Sequence, residues 1–94
     1  MENREEPRIY VIGAGFAGQS IAREIQARGI LGRVVAFLDD DPGKIGRRLE
    51  NIPVLGPIRD VVNLLRRTPA DEAIIAMPSA SRDYLRELYG ILKA

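Results

Sequence analysis

Three observations predict an α/β fold built on a parallel sheet. Strand-like and helix-like apolar patterns alternate along the chain. The runs 9–12 and 34–38 are apolar throughout, as strands covered on both faces are. Gly13, Gly15 and Gly18 stand between the first strand pattern and the first helix pattern. The 94 residues make one small domain. By size scaling it buries only about 60 to 65% of the surface its unfolded chain exposes, so a thin stability margin is expected.

Residues 1–7 are polar and charged without an apolar core. They are no secretory signal, and a disordered lead-in is expected there, ahead of a domain over 8–94. The first strand is read over 8–12. The helix after the glycines carries Gly18, Ile21, Ala22 and Ile25 at the spacing of one buried face, with Arg23, Glu24, Gln26 and Arg28 toward water. Gly29 is its expected stop. After a short turn with Gly32, the second strand is read over 34–38. Asp39-Asp40-Asp41-Pro42-Gly43 is a turn, residues 43–52 have no period and are read as loop, and a short third strand follows near 53–55. Gly56-Pro57 opens a second helix with the face Ile58, Val61, Val62 and Leu65. Asp60 near its start and Arg66-Arg67 near its end match the helix macrodipole. The fourth strand is expected over 72–77, ended by Pro78. Ser79 or Ser81 is available to cap a third helix, whose face is Leu85, Leu88, Tyr89 and Leu92.

With right-handed crossovers, this order of elements predicts a Rossmann-like three-layer parallel sheet ordered 3-2-1-4, with the first strand central. Such a sheet ordinarily continues, so the sequence reads as truncated before a fifth strand. The bare edge of the fourth strand, 73–77, is then expected to recruit a second copy as a homodimer.

Composition excludes several classes of function. With 14 basic and 13 acidic residues the net charge is +1, which argues for neither nucleic acid nor an anionic membrane as partner. The longest apolar runs, 34–38 and 73–77, fall far short of the roughly 20 residues that span a bilayer. The absence of cysteine excludes disulfides and thiol chemistry and fits a cytoplasmic location. Histidine is absent too, and no metal-ligating set is read. Neither Ser79 nor Ser81 therefore has the usual base for nucleophilic attack, which argues against a hydrolase.

The stretch Gly13-Ala14-Gly15-Phe16-Ala17-Gly18 has the G-x-G-x-x-G spacing of a nucleotide pyrophosphate site. Its context favours that role over a packing turn: a strand precedes it, a helix comes after, and Asp39 ends the second strand roughly 20 residues further on. Gly13 allows the tight turn, Gly15 has no Cβ to hold a pyrophosphate away, and Gly18 lets the helix sit close on the sheet. The N–H groups of the first helical turn then face the phosphates. No lysine follows the glycines, so a nucleoside triphosphatase P-loop is excluded.

Asp39 is expected to accept hydrogen bonds from a ribose and to repel a 2′-phosphate. That favours NAD over NADP unless Lys44, Arg47 and Arg48 fold back. Asp40 is read either as a ligand contact or as part of a solvated turn. Ala76, Met77, Pro78 and Ser79 fall at the carboxyl end of the fourth strand, beside the first, where ligands of open α/β sheets sit. For Ser79 and Ser81, capping of the third helix is the commoner role. Tyr89 and Lys93 have the Tyr-x-x-x-Lys spacing of short-chain dehydrogenases. They fall at a helix end, with Tyr89 on the expected apolar face, so the match is read as coincidence. The expected ligand is NAD or another adenine or uridine nucleotide, bound without a catalytic residue.

Five segments in order resemble a known module: Val11-Ile12-Gly13-Ala14-Gly15, Phe37-Leu38-Asp39-Asp40-Asp41-Pro42, Lys44-Ile45-Gly46-Arg47, Ile52-Pro53-Val54-Leu55-Gly56 and Ile75-Ala76-Met77-Pro78-Ser79-Ala80-Ser81-Arg82. Over about residues 8–93 the chain resembles the first Rossmann-like, CoA-binding-like domain of the capsular polysaccharide nucleotide-sugar epimerase/dehydratase family. Related modules precede the transferase part of some bacterial sugar-phosphate transferases. Members of the epimerase family typically carry membrane helices ahead of this module and a catalytic short-chain-dehydrogenase-like domain after it, acting on UDP-sugars. The resemblance implies nucleotide contact at Gly13, Gly15, Gly18 and Asp39 and a ligand-side loop at 79–82. It implies no catalytic residue here, because the family's catalytic tyrosine and lysine belong to the other domain. It leaves NAD, another nucleotide or a nucleotide-sugar open as ligand.

The expectation is a non-catalytic nucleotide-binding module of a polysaccharide-biosynthesis enzyme. A self-sufficient NAD-dependent nucleotide-sugar epimerase or dehydratase, and a ligand-sensing regulatory domain that binds NAD or ATP, are the alternatives.

Overall fold

A computed structural model of the chain describes residues 6–93, so most of the lead-in expected at 1–7 lies outside the described residues. The elements are β1 (Arg8–Ile12), α1 (Phe16–Arg28), β2 (Arg33–Leu38), β3 (Arg48–Leu49), β4 (Ile52–Gly56), a 3-10 turn (Ile58–Asp60), α2 (Val61–Arg67), β5 (Glu72–Ile75) and α3 (Arg82–Lys93).

The sheet runs β3-β4-β2-β1-β5. β1 is parallel to both β2 and β5, and β4 is parallel to β2. This corrects the expected wholly parallel sheet ordered 3-2-1-4: the described residues form five strands, and the added β3 pairs antiparallel with β4. The cause lies at Glu50 and Asn51, both at positive φ (53° and 64°), which reverse the chain between Leu49 and Ile52. Two consecutive left-handed residues are what a tight hairpin turn requires. The 43–52 segment read as loop therefore ends in a short hairpin that covers the outer side of β4.

Alternation along β1 sends its side chains into two cores. Ile9 and Val11 join Val34, Phe37 and Val54 under Ala22 and Ile25 of α1. Tyr10 and Ile12 join Ala36, Leu38, Ile58, Val61 and Leu88 on the side of α2 and α3. The result is three layers with residues 9–12 of β1 buried between them. The Tyr10 hydroxyl donates to the Thr68 carbonyl at 2.5 Å, so the buried phenol is satisfied, and burial raises its pKa.

Two helical faces differ from expectation. In the second helical segment Ile58 and Val61 are buried and Leu64 partly so, while Val62 and Leu65 are exposed. The segment opens with a 3-10 turn, whose three residues per turn align Ile58 with Val61 and shift the frame of the α-helical turns after it. In α3, Leu88 is buried and Tyr84, Leu85 and Leu92 partly so, but Tyr89 is 61% exposed. Among the described residues the sheet ends at β5, so the Tyr89 flank of α3 has no further described strand beneath it. β5 is also shorter than the expected 72–77, ending at Ile75. The Met77 carbonyl then accepts the Ala80 N–H (3.0 Å) in a turn through Pro78 and Ser79.

Among the described residues no helix is long and apolar enough to cross a membrane.

Candidate functional site

The site forms where β1, β2 and β5 end at one rim of the sheet. Gly13 follows β1 directly, and its N–H donates to the Leu38 carbonyl (2.7 Å) at the end of β2. Its φ of +109° is open only to glycine at low cost, and a Cβ there would meet the Ala76 carbonyl oxygen at 2.5 Å. Gly18 is constrained by contact instead, since a Cβ would lie 1.8 Å from the Gly13 carbonyl oxygen. That glycine is why α1 can pack so closely on the turn. Gly15 is the N-cap of α1, with no side-chain cap and no acidic residue in the first turn. Its carbonyl accepts the Gln19 N–H (2.9 Å), leaving the N–H groups of Phe16, Ala17 and Gly18 without a partner inside the helix.

Asp39 organises the opposite lip. Its Oδ2 accepts the Ala14 N–H at 2.7 Å and its Oδ1 accepts the Asp41 N–H at 2.8 Å. The carboxylate thereby ties the glycine loop to the turn after β2 while staying 17% exposed at the rim. Lys44 returns from that turn to place Nζ 3.9 Å from Asp39 Oδ2, and the ammonium also lies 3.9 Å from where a Cβ on Gly15 would stand.

A cleft of about 510 Å³ opens between these groups and the turn after β5. Of the residues expected at the site, Gly13, Gly15, Phe16, Ala17, Asp39, Pro78 and Ser79 line it. Ala14 and Gly18 are buried and shape the loop from behind. Asp40 does not join them. Its Oδ1 accepts the Ile58 N–H (2.9 Å) and caps the 3-10 turn, and its side chain lines a separate hollow with Tyr84 and Leu88. Burial, reinforced by the charge of Asp40, raises the Tyr84 pKa. Ser81 caps α3 by accepting the Tyr84 N–H (3.1 Å), whereas Ser79 is exposed at the cleft. Ala76, Met77 and Ala80 complete the lining within the stretch read at the end of the last strand, and Lys44, expected only as a loop residue able to fold back, joins them. For Lys44 the available signal is its place a few residues beyond Asp39 in a glycine-containing turn. Phe16 presents an 88% exposed ring at the mouth.

The donor set fits a nucleotide diphosphate. Unpaired helix N–H groups and an ammonium face one cavity, glycine leaves room beside them, and a carboxylate stands at the sugar-side lip. Tyr89 and Lys93 are elsewhere, the ammonium 5.7 Å above the exposed ring.

Fold and site together define a Rossmann-like α/β module. A family model described as a CoA-binding domain matches residues 1–94, and the chain belongs to that family. It is 30% identical over 83 residues to the probable polysaccharide biosynthesis protein EpsC of Bacillus subtilis (strain 168), a match covering 87% of this chain and 14% of EpsC. It is 38% identical over 77 residues to the redox-sensing transcriptional repressor Rex of Chloroflexus aggregans (strain MD-66 / DSM 9485), covering 76% of this chain and 33% of Rex. The chain thus spans a third or less of these relatives.

Among solved structures, UDP-D-quinovosamine 4-dehydrogenase from Vibrio fischeri superposes with a TM-score of 0.76 at 24% identity, covering 92% of this chain and 72% of the other. RSP, a Rex-family repressor solved in complex with β-NADH, superposes at 0.70 and 21%, covering 90% and 41%. These two likenesses carry the fold. The module is similar to the Rossmann-like domain of the polysaccharide-biosynthesis proteins that the five sequence segments resemble.

Proposed function

We propose that this chain is a non-catalytic nucleotide-binding module of a polysaccharide-biosynthesis protein. Its ligand is an NAD-type dinucleotide, held by its adenosine diphosphate portion in the cleft at the ends of β1, β2 and β5. One observation carries the reading: the uncapped start of α1, the Asp39 carboxylate and the Lys44 ammonium converge on a single cavity of about 510 Å³. Gly13, Ala14, Gly15, Phe16, Ala17 and Gly18 form its phosphate side, Asp39 receives the ribose, and Pro78 with Ser79 closes the far wall. Kinship with EpsC supports the setting, and the NADH complex of RSP supports the ligand class. The cysteine-free composition agrees with a cytoplasmic module. The free side of β5 is the surface we assign to self-association with a second copy.

Calorimetry with NAD, NADP, ADP-ribose and UDP-sugars tests this. NAD and ADP-ribose are expected to bind at roughly 10 µM to 1 mM, with NADP weaker. Neither heat nor a thermal shift with any of the four would leave a purely structural module. Binding of the UDP-sugars alone would move the ligand class from dinucleotide to nucleotide-sugar.

A regulatory reading, in which NAD changes the assembly of a larger protein, is favoured by the 38% identity to Rex. Its mark is an oligomeric state that responds to added NAD.

A further inference from the structure

The turn between β2 and β3 is built so that one side chain faces the glycine loop. The Asp41 carboxylate accepts the Gly43 N–H at 2.9 Å, and the Asp41 carbonyl accepts the N–H groups of Lys44 (2.9 Å) and Ile45 (3.2 Å). The Lys44 carbonyl in turn accepts the Arg47 N–H at 3.0 Å. Ile45 packs against the core beneath α1, which pins the turn to the body of the domain. Lys44 is thereby directed back across the cleft and left only 33% exposed.

Its pairing with Asp39 is slack. The separation of 3.9 Å is an ion-pair contact too long for a hydrogen bond, and each Asp39 oxygen already accepts a backbone N–H. An ammonium has three N–H groups to donate, and the side chain of Lys44 makes no hydrogen bond among the described residues. A confined cation beside Gly15, in a cleft whose other donors are backbone N–H groups and the Ser79 hydroxyl, fits an anionic group that arrives with the ligand.

We infer that Lys44 is the counter-charge for the ligand's diphosphate. It supplies from across the cleft the lysine that the glycine loop lacks, and it passes from Asp39 to the phosphates as the ligand binds. This rests on the nucleotide reading above. The site then selects nucleoside diphosphates and dinucleotides over nucleosides, because the ammonium lies within 3.9 Å of where a Cβ on Gly15 would stand, at the loop that faces the phosphates.

The test measures affinity of the full chain for adenosine, ADP, NAD and NADP by calorimetry, with Lys44→Met and Lys44→Arg beside the wild type. Thermal melts check the fold. Lys44→Met is expected to weaken ADP and NAD by roughly tenfold or more, with NADP reduced by a similar factor, and Lys44→Arg to restore most of the loss. The salt dependence of ADP binding is expected to be shallower in Lys44→Met, a comparison that does not depend on absolute affinity. Should Lys44→Met melt lower than wild type, Lys44→Gln gives the same reading.

Unchanged NAD and ADP affinity in the variant overturns the inference while leaving the nucleotide reading intact. A loss confined to NADP overturns it as well, by assigning the lysine to the 2′-phosphate. Wild-type protein that binds none of the four removes both.

Discussion

At the scale of single residues, the glycines are held by different constraints, so substitutions separate them. Alanine at Gly18 would place a Cβ 1.8 Å from the backbone oxygen of Gly13, where nothing flexible can give way. Gly18→Ala is expected to cost about 4 kcal/mol or more in urea unfolding, or to prevent folding. Gly90 lies inside α3 with no atom within 4 Å of its missing Cβ. Gly90→Ala is expected to stabilise by about 0.5 to 1 kcal/mol in the same measurement, and a loss of stability there would contradict the open surroundings described. Asp39 has a structural role beside the proposed binding one, since its two oxygens hold the Ala14 and Asp41 N–H groups. The spacing of Asp39 from the glycines made its place at the site legible in the sequence. The return of Lys44 was left open in the sequence, because it depends on the turn built by Asp41 and on the anchoring of Ile45, both visible only in three dimensions.

At the scale of elements, apolar periodicity located every helix but misjudged how two of them are turned toward the sheet. For α1 the buried set Gly18, Ala22 and Ile25 follows the helical period, and Gly29 ends the helix at φ +64° with its N–H on the Ile25 carbonyl. For the second helix a 3-10 entry changes the period, and Leu64 takes the inward place assigned to Leu65. For α3 the sheet boundary decides, so Tyr89 faces water although its spacing matches Leu85 and Leu92. Leu88→Ala is therefore expected to cost about 2 to 4 kcal/mol, while Tyr89→Phe stays within about 0.5 kcal/mol, both read from urea midpoints at unchanged slope. Equal effects would mean that α3 is rotated from the orientation described. β3 escaped the sequence because its turn is Glu50-Asn51, which lacks the glycine that usually marks a tight hairpin.

At the scale of the whole molecule, the two margins of the sheet are unlike. β3 is two residues long and turns straight back into β4, whereas β5 offers one whole side to solvent beside a hollow of about 510 Å³ lined by Ile21, Ile75, Leu85 and Tyr89. Light scattering at high protein concentration is expected to give about twice 10.4 kDa. Ala73→Lys, at an exposed position of β5, is expected to return the mass to that of a single chain without lowering the melting temperature. A monomer in the wild type at the same concentration would remove β5 as the contact. The unlike margins also limit how far such association can go. Fibrillar stacking needs a head and a tail that accept each other again and again, and β3 makes a poor tail. A two-fold pairing of β5 with itself would use up the receptive margin of the described sheet, so growth would halt at two copies.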